Sequence, residues 1–376
     1  PGPSDIPPPS FEHSANDPLF DFDTDRGFVI PQGGEAPPPD FAPYNAESFI
    51  SWNGDIISHD PHLNEDGEAL YRFLLARAQE HPEFVVRCRG THTEHRHHTI
   101  TTTDAQGRTT TQTESRPENV VDFDFKIDLA QHLLPGALLW TAPDQEPAYR
   151  GNSLKTTKNG LPATRQANKA LKNLQKYRSY SGLPPWVGQA TVAESGTVNL
   201  ETMDYGRQHD VLQSSWTLRQ WADDYCSSDK IFKEFVFEKM IYGWKIGVLT
   251  SAIRSAIQST NYTGSISISF DKRLARVIIR RDGGFHRLLS SIWFRILLWI
   301  LLIYPFIWLF KRFHPQGYGK WAVAGSAHAL TRFYANGPPP VGQSAGTAGH
   351  AQPEGLREGE WFKRWEETIR RMVTTR

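Results

Sequence analysis

The sequence has few cysteines, and motifs that mark several common enzyme classes are absent from it. Cys88 and Cys226 are the two cysteines among 376 residues. Two thiols this far apart do not make a disulfide framework, which fits a reducing compartment. HExxH, the GxGxxG dinucleotide fingerprint and the GxxxxGK[ST] phosphate loop do not occur. No acid, base and nucleophile can be grouped from the sequence either, so we expect no enzyme activity and no cofactor.

One long apolar run dominates what is present. Residues 288–310 hold a single charge, Arg295, and as one helix they would rise about 34 Å, enough to cross a hydrocarbon core of about 30 Å. Arg295 lies off-centre and can extend toward the headgroups, and Pro305 is expected to kink the helix without ending it. The run therefore predicts a transmembrane helix over 288–310, with a buried helix of a soluble core as the alternative.

Charge is unevenly distributed along a chain whose formal net charge is zero. The first 60 residues contain eleven acids against Arg26 and are rich in proline. This composition predicts a disordered, acidic, Pro-rich region over 1–62. Its scattered Phe residues and Trp52 are compatible with short docking segments for protein partners, but we favour a solvated tail.

Residues 63–284 predict an α+β domain, an antiparallel β-meander with packed helices, followed by the one transmembrane helix. Hydrophobic periodicity and capping signals indicate the elements. The predicted helices are 64–81, 164–179, 217–225, 231–244 and 246–257. The predicted strands are 84–103, 108–113 and 121–129, with a hairpin formed by 265–270 and 275–280.

The basic block between 147 and 193 contains eight cations and no acid. Its predicted helix carries the candidate lipid-binding residues Lys169, Lys172, Lys176 and Arg178. No nucleic-acid-binding module is recognisable, so we expect no nucleic-acid partner and favour anionic lipid phosphate. A plain solvated helix remains an equal alternative.

A cluster of histidines is the candidate metal site. Alternation along a strand puts His95 and His97 on one face and His92, Glu94 and His98 on the other, so each face offers two or three ligands. A structural zinc site needs four ligands, and the usual cysteine pairs are absent. A solvated strand is the alternative.

The C-terminal part predicts a linker over 311–357 and an amphipathic helix over 358–376. Trp361 and Trp365 lie on the apolar face of this helix, with Lys and Arg around the other. This pattern suits a helix in a membrane interface, and docking on a protein partner is the alternative.

Cations on both sides of the predicted span, together with the lack of a visible signal peptide, predict a cytosolic N-terminal domain. We therefore expect an integral membrane protein, in an endomembrane. The leading functional interpretation is a single-pass, membrane-anchored interaction or scaffold protein, with anionic lipid as a partner. The alternative is a metal- or ligand-binding protein that uses the His92–His98 cluster.

Four short segments resemble a group of fungal membrane proteins of unknown function, some of them labelled ABC transporter protein. The segments are Gly90-Thr91-His92-Thr93-Glu94, the VDFDF run at 121–125, Lys233-Glu234-Phe235 and Trp244. The likeness covers roughly residues 60–310 and implies a membrane location. An ABC transporter also needs a phosphate loop and several spans, which this sequence does not supply.

Overall fold

The computed structural model describes residues 42–103, 109–188, 212–281, 292–301, 303–314, 316–333 and 353–375. Within these ranges the chain forms seven α-helices and twelve strands. The helices are α1 (Gly67–Gln79), α2 (Arg165–Ser181), α3 (Leu218–Ser227), α4 (Ile246–Gln258), α5 (Ile292–Ile300), α6 (Ile303–Phe313) and α7 (Glu358–Thr374). The strands are β1 (Phe49–Ile50), β2 (Ile56–Ser58), β3 (Glu83–Thr103), β4 (Thr109–Asp128), β5 (Leu138–Thr141), β6 (Tyr149–Asn152), β7 (Phe232–Tyr242), β8 (Ser265–Arg273), β9 (Arg276–Arg280), β10 (Tyr318–Ala329), β11 (Thr331–Phe333) and β12 (Pro353–Gly355).

The main sheet is mixed and follows the order β1-β2-β9-β7-β10-β5, with β6 also pairing with β10. Strands β7 and β10 pair in parallel, as do β2 and β9. Helices α1 and α3 cover one face, where Phe73 and Tyr225 pack with Phe235 and Trp321. The prediction of an antiparallel meander is therefore wrong, because strands distant in sequence alternate in this sheet.

A second, antiparallel sheet has the order β4-β3-β8. Helices α4 and α7 pack on it, and Trp244, Ile253 and Trp361 lie fully buried in their shared core. Strands β3 and β4 pair from Val85–Asp128 out to Thr103–Thr109, whereas β8 pairs with β3 only as far as Thr91. Beyond that point the two strands continue as a two-stranded arm.

Several local predictions are confirmed because capping chemistry identifies helix ends. Asp66, Thr164 and Thr217 cap α1, α2 and α3 through their side chains, and Thr217 with Gln220 forms a complete capping box. The first cap lies two residues after the predicted Asn64.

Two predictions between 231 and 280 are wrong. Residues 232–242 form the strand β7, not a helix. The segments 265–270 and 275–280 do not pair as a hairpin, since β8 belongs to the second sheet and β9 to the main sheet. The chain crosses between the sheets at Leu274, whose positive φ of 55° and bond from its N–H to the Gly54 carbonyl (2.7 Å) fix the turn.

Among the described residues, no helix is long and apolar enough to cross a membrane. The apolar run is divided between α5, with nine residues, and α6, with eleven. Pro305 explains the division. A proline lacks the N–H that would bond to the carbonyl four residues earlier, at Leu301, and its ring clashes there. In the first turn of α6 the same proline is tolerated.

The sheet topology gives a second reason. Glu234 of β7 is in register with Arg280, where β9 ends, and with Lys320, near the start of β10. The chain therefore leaves the main sheet and returns to it at the same end. The predicted integral, single-pass endomembrane protein is wrong, and with it the argument that placed the N-terminal domain in the cytosol.

The predicted flanking regions also differ from the structure. Residues 318–333 and 353–355, predicted as part of a linker over 311–357, form β10, β11 and β12. Of the region 1–62 predicted as disordered, 1–41 lie outside the described residues, while β1 and β2 join the edge of the main sheet.

Candidate functional site

Helices α5 and α6, called here the helix pair (residues 292–313), lie against the ends of β7 and β10. Leu298 of α5 is buried with Phe232 of β7, and Phe310 of α6 meets the Phe232 ring at 6.5 Å. After α6 the chain is tied to β7 by bonds from the Ile231 and Phe232 N–H groups to the Gln316 and Gly317 carbonyls, at 2.9 and 3.0 Å. The folded sheet thus holds the helix pair through Leu298, Phe310 and the chain that follows α6.

The opposite side of the helix pair is apolar and exposed. Trp293 is 79% exposed, Phe306 74% and Ile300 73%. The other exposed apolar side chains are Ile296, Leu297, Trp299, Leu301, Ile303, Trp308 and Leu309. Taking 150–250 Å² per aromatic ring, the four exposed aromatic side chains alone present about 500 Å². This is already about as large as the largest apolar patch on an ordinary monomer, before the aliphatic residues are added.

Cations surround the base of the helix pair, where the chain leaves and re-enters the sheet. Glu234 pairs with Arg280 (Oε2 to Nε, 2.8 Å) and with Lys320 (Oε1 to Nζ, 3.6 Å). Lys230 and Lys155 are half-buried in the same region, and burial lowers the pKa of both amines. Arg281, the last described residue before the helix pair, is exposed. The base is therefore positively charged.

The predicted lipid-binding residues of α2 divide into two groups. Lys169, Lys172 and Lys176 are exposed and lie on one stripe of the helix. Arg178 is buried, where its Nε donates to the Val187 carbonyl at 2.7 Å and its guanidinium pairs with Glu146. Arg178 thus forms a structural ion pair and does not face a ligand. Lipid binding by the three lysines remains a prediction.

The predicted metal ligands lie along the two-stranded arm. His92, Glu94, His95 and His97 are exposed, and His98 stands opposite Glu114 in the strand register. Within the described part of the chain, no group of three or more His, Cys, Asp or Glu residues could hold a metal ion. His92 instead bonds Asp122 (Nδ1 to Oδ1, 2.8 Å). The described side chains of this cluster are therefore not brought together as a metal site.

The residues predicted for membrane contact are also distributed differently. Arg295 lies in α5 and Pro305 in the first turn of α6, so both belong to the helix pair. Trp361 is fully buried against Trp244, with ring centroids 5.8 Å apart, and Trp365 is partly buried beside it. The apolar face of α7, predicted to lie in a membrane interface, is the face that packs on α4.

A buried polar cluster under the end of α1 was not anticipated from the sequence. Lys239 donates to the Glu80 carbonyl at 2.9 Å, and Ser326 Oγ lies 3.1 Å from His328 Nε2. Burial lowers the pKa of His328 to about 3 and that of Lys239 to about 8. A hydroxyl beside an imidazole resembles a nucleophile and base, but these side chains are at most 1% exposed. We assign Lys239 a structural role in capping the C-terminal end of α1.

Replacing Lys239 by Met is expected to alter how stability depends on pH. Its pKa is about 8 in the fold, against 10.5 ordinarily, so between these values the unfolded chain binds more protons. The free-energy cost of burying the charged ammonium is therefore fully present below pH 8, and it decreases as the pH rises to 10.5. The difference in free energy of unfolding, wild type minus Lys239→Met, should therefore rise by about 3 kcal/mol across this window in urea titrations. A difference as flat as that for the exposed-site control Lys126→Met would contradict it.

The sequence reasoning missed one motif. Gly342-Gln343-Ser344-Ala345-Gly346 has the GxSxG spacing and falls in 334–352, outside the described residues. GxSxG marks a nucleophile where the serine sits on a strand-to-helix turn. The spacing alone therefore assigns no activity.

No protein-family model, curated protein or solved structure matches the chain. The resemblance to fungal membrane proteins therefore stays a prediction. The predicted metal ligands are dispersed and the buried polar cluster is inaccessible. The helix pair and the cations at its base therefore form the candidate functional site.

Proposed function

We propose that the chain is a peripheral interaction module that attaches to a lipid bilayer by immersing the helix pair in one leaflet. The observation that carries this proposal is the exposed apolar surface of α5 and α6, held outward from the end of a folded sheet. The proposal requires no membrane span. It differs in this respect from the transmembrane prediction made for the same residues.

The dimensions of the helix pair suit one leaflet. Helices of nine and eleven residues are about 14 and 17 Å long, roughly half of a hydrocarbon core. Leu301 follows the end of α5, and the helix ends on either side of it are Ile300 and Ile303, whereas a turn in water normally has glycine, asparagine or aspartate. An apolar turn at this position favours contact with an apolar phase.

The residue types around the apolar surface also favour lipid. Trp293, Trp299 and Trp308 are exposed, and tryptophan concentrates where a membrane meets water. Arg280, Arg281 and Lys320 stand at the base, where they can meet anionic headgroups. The main sheet and the two-stranded arm would then remain in water, available to protein partners.

The test is vesicle flotation with the full chain and Trp293→Ala/Phe306→Ala. Burying one such side chain contributes about 1.5–3 kcal/mol, so the double variant should bind phosphatidylcholine vesicles about 100-fold more weakly or worse. Both side chains are exposed, so folding should be unchanged by circular dichroism.

Trp52→Ala is the matched control. Trp52 is 96% exposed and lies just before β2. The first residue of β2 pairs with Val277, near the start of β9, so Trp52 lies at the end of the sheet away from the helix pair. This variant should bind vesicles like the wild type. The proposal fails if the wild type does not float with vesicles. It also fails if the wild type forms a dimer that stays intact in the presence of vesicles and that the double substitution Trp293→Ala/Phe306→Ala dissociates.

A further inference from the structure

Two lysines share one aromatic ring at the base of the helix pair. The Nζ atoms of Lys155 and Lys320 lie 5.7 and 5.2 Å from the centre of the Tyr149 ring. Tyr149 belongs to β6 and Lys320 to β10, and these strands pair beside the point where the helix pair re-enters the sheet. The ring attracts both cations, and the charge of Lys320 acts on Lys155 across it.

The positive charge at this point is incompletely balanced. Glu234 is the carboxylate nearest Lys320, at 3.6 Å, and its other oxygen already pairs with Arg280 at 2.8 Å. Among the described residues, no carboxylate lies within 4.0 Å of the Lys155 ammonium. Burial and the charge of Lys320 lower the pKa of Lys155, and the carboxylates of Glu146 and Glu238, which form no ion pair with it, only partly oppose this shift.

An anion bound between them would stabilise a partly desolvated pair of cations. A phosphate supplies the charge and several acceptor oxygens, and the ammonium groups supply donors. The hydroxyl of Tyr149, which is half-buried, offers another donor.

We infer that Lys155, Lys320 and Tyr149 bind the phosphate of an anionic lipid headgroup. This inference rests on the proposed function, because the immersed helix pair would bring headgroups to its own base. With the helix pair immersed, these three residues would lie at the level where the chain passes from water into the leaflet. They are separate from the α2 stripe of Lys169, Lys172 and Lys176.

The test measures partition of the full chain onto phosphatidylcholine vesicles with and without phosphatidylglycerol, whose only net charge is its phosphate. The wild type should bind the mixed vesicles more tightly. Lys155→Gln/Lys320→Gln should lose about 30-fold on the mixed vesicles, at roughly fivefold per lysine, and nothing on phosphatidylcholine alone. Lys155→Arg/Lys320→Arg keeps both charges and should retain most of the preference.

Arg89→Gln/Lys126→Gln is the control, because it removes two exposed cations of the second sheet. The inference is overturned if this control loses as much as Lys155→Gln/Lys320→Gln, or if the wild type binds both kinds of vesicle equally. In either case binding to phosphatidylcholine would leave the proposed function standing. Inorganic phosphate that abolishes the preference at constant ionic strength would identify free phosphate as the ligand and overturn the assignment to lipid.

Discussion

Replacing Lys233 by Met is expected to lower the free energy of unfolding by about 3 kcal/mol. The Lys233 ammonium is buried and donates to the backbone carbonyls of Asn64 (2.9 Å), Tyr225 (3.0 Å), Cys226 (3.1 Å) and Ser228 (3.2 Å). Three of these carbonyls belong to the C-terminal end of α3, where carbonyls run out of intrahelical donors, although that of Tyr225 also accepts from the Ser228 N–H at 3.3 Å. Methionine fills a similar volume but donates nothing, so these carbonyls would lose their shared donor.

Burial lowers the pKa of Lys233, which shows that the ammonium loses solvation on folding and offsets part of its own gain. We expect the loss of hydrogen bonds to these four carbonyls to outweigh the relief of removing a buried charge, so that Lys233→Met lowers the free energy of unfolding. Urea unfolding of Lys233→Met should show a lower midpoint with an unchanged slope. Lys126→Met, at an exposed site, should stay within about 0.5 kcal/mol of wild type. A loss below about 1 kcal/mol for Lys233→Met would show that the carbonyls find other donors.

Gly182→Ala is expected to have a comparable or larger effect. Gly182 ends α2 with a left-handed φ of 66°, and its carbonyl accepts a bond from the Gly243 N–H at 2.8 Å. A Cβ at Gly182 would overlap the backbone carbonyl of Trp244. Backbone cannot move aside as a flexible side chain can, so we expect the variant to lose more than about 3 kcal/mol or fail to accumulate as folded protein.

Gly160→Ala separates this steric effect from backbone strain. Gly160 has a φ of 74°, and a Cβ there meets nothing within 4 Å. Its alanine variant should lose only the 1–2 kcal/mol of a left-handed alanine. Thermal melts of the two variants therefore measure the clash directly. Equal losses would show that the loop at Gly182 moves away from Trp244.

Local chemistry made part of the fold predictable. Thr164 and the Thr217–Gln220 box identify helix starts without tertiary information. The alternation over 121–129 gives the strand because one face of β4 is exposed and the other is buried. In each case the determining contacts lie close in sequence.

Strands covered on both faces were not predictable in this way. In β7, Phe235 and Phe237 face the core under α1, while Val236 on the other face is also buried. No alternation survives there, so the spacing of its aromatic residues resembled a helix. In β10, position 325 requires glycine because a Cβ there would meet the Glu238 carbonyl. Small residues of this kind made the segment resemble a linker in the sequence.

The candidate site shows the same limit. Hydropathy correctly located an apolar segment but could not separate one long helix from two short ones, a difference that Pro305 and the pairing of β10 decide. The Tyr149–Lys155–Lys320 grouping joins residues over 160 positions apart, which sequence spacing does not reveal. By contrast, Lys169, Lys172 and Lys176 could be predicted to form a stripe on α2 because they are close in sequence.

The position of β10 fixes the order in which the chain can assemble during synthesis. β10 is the last main-sheet strand in the sequence, yet it lies between β7 and β5 in the sheet. At about 5–20 residues per second, a ribosome needs several seconds to pass from the end of β7 to the end of β10. The helix pair is made within that interval and is finished before β10 is complete, while β7 still has an open edge. The nascent chain therefore presents its apolar helices before the sheet that holds them can close.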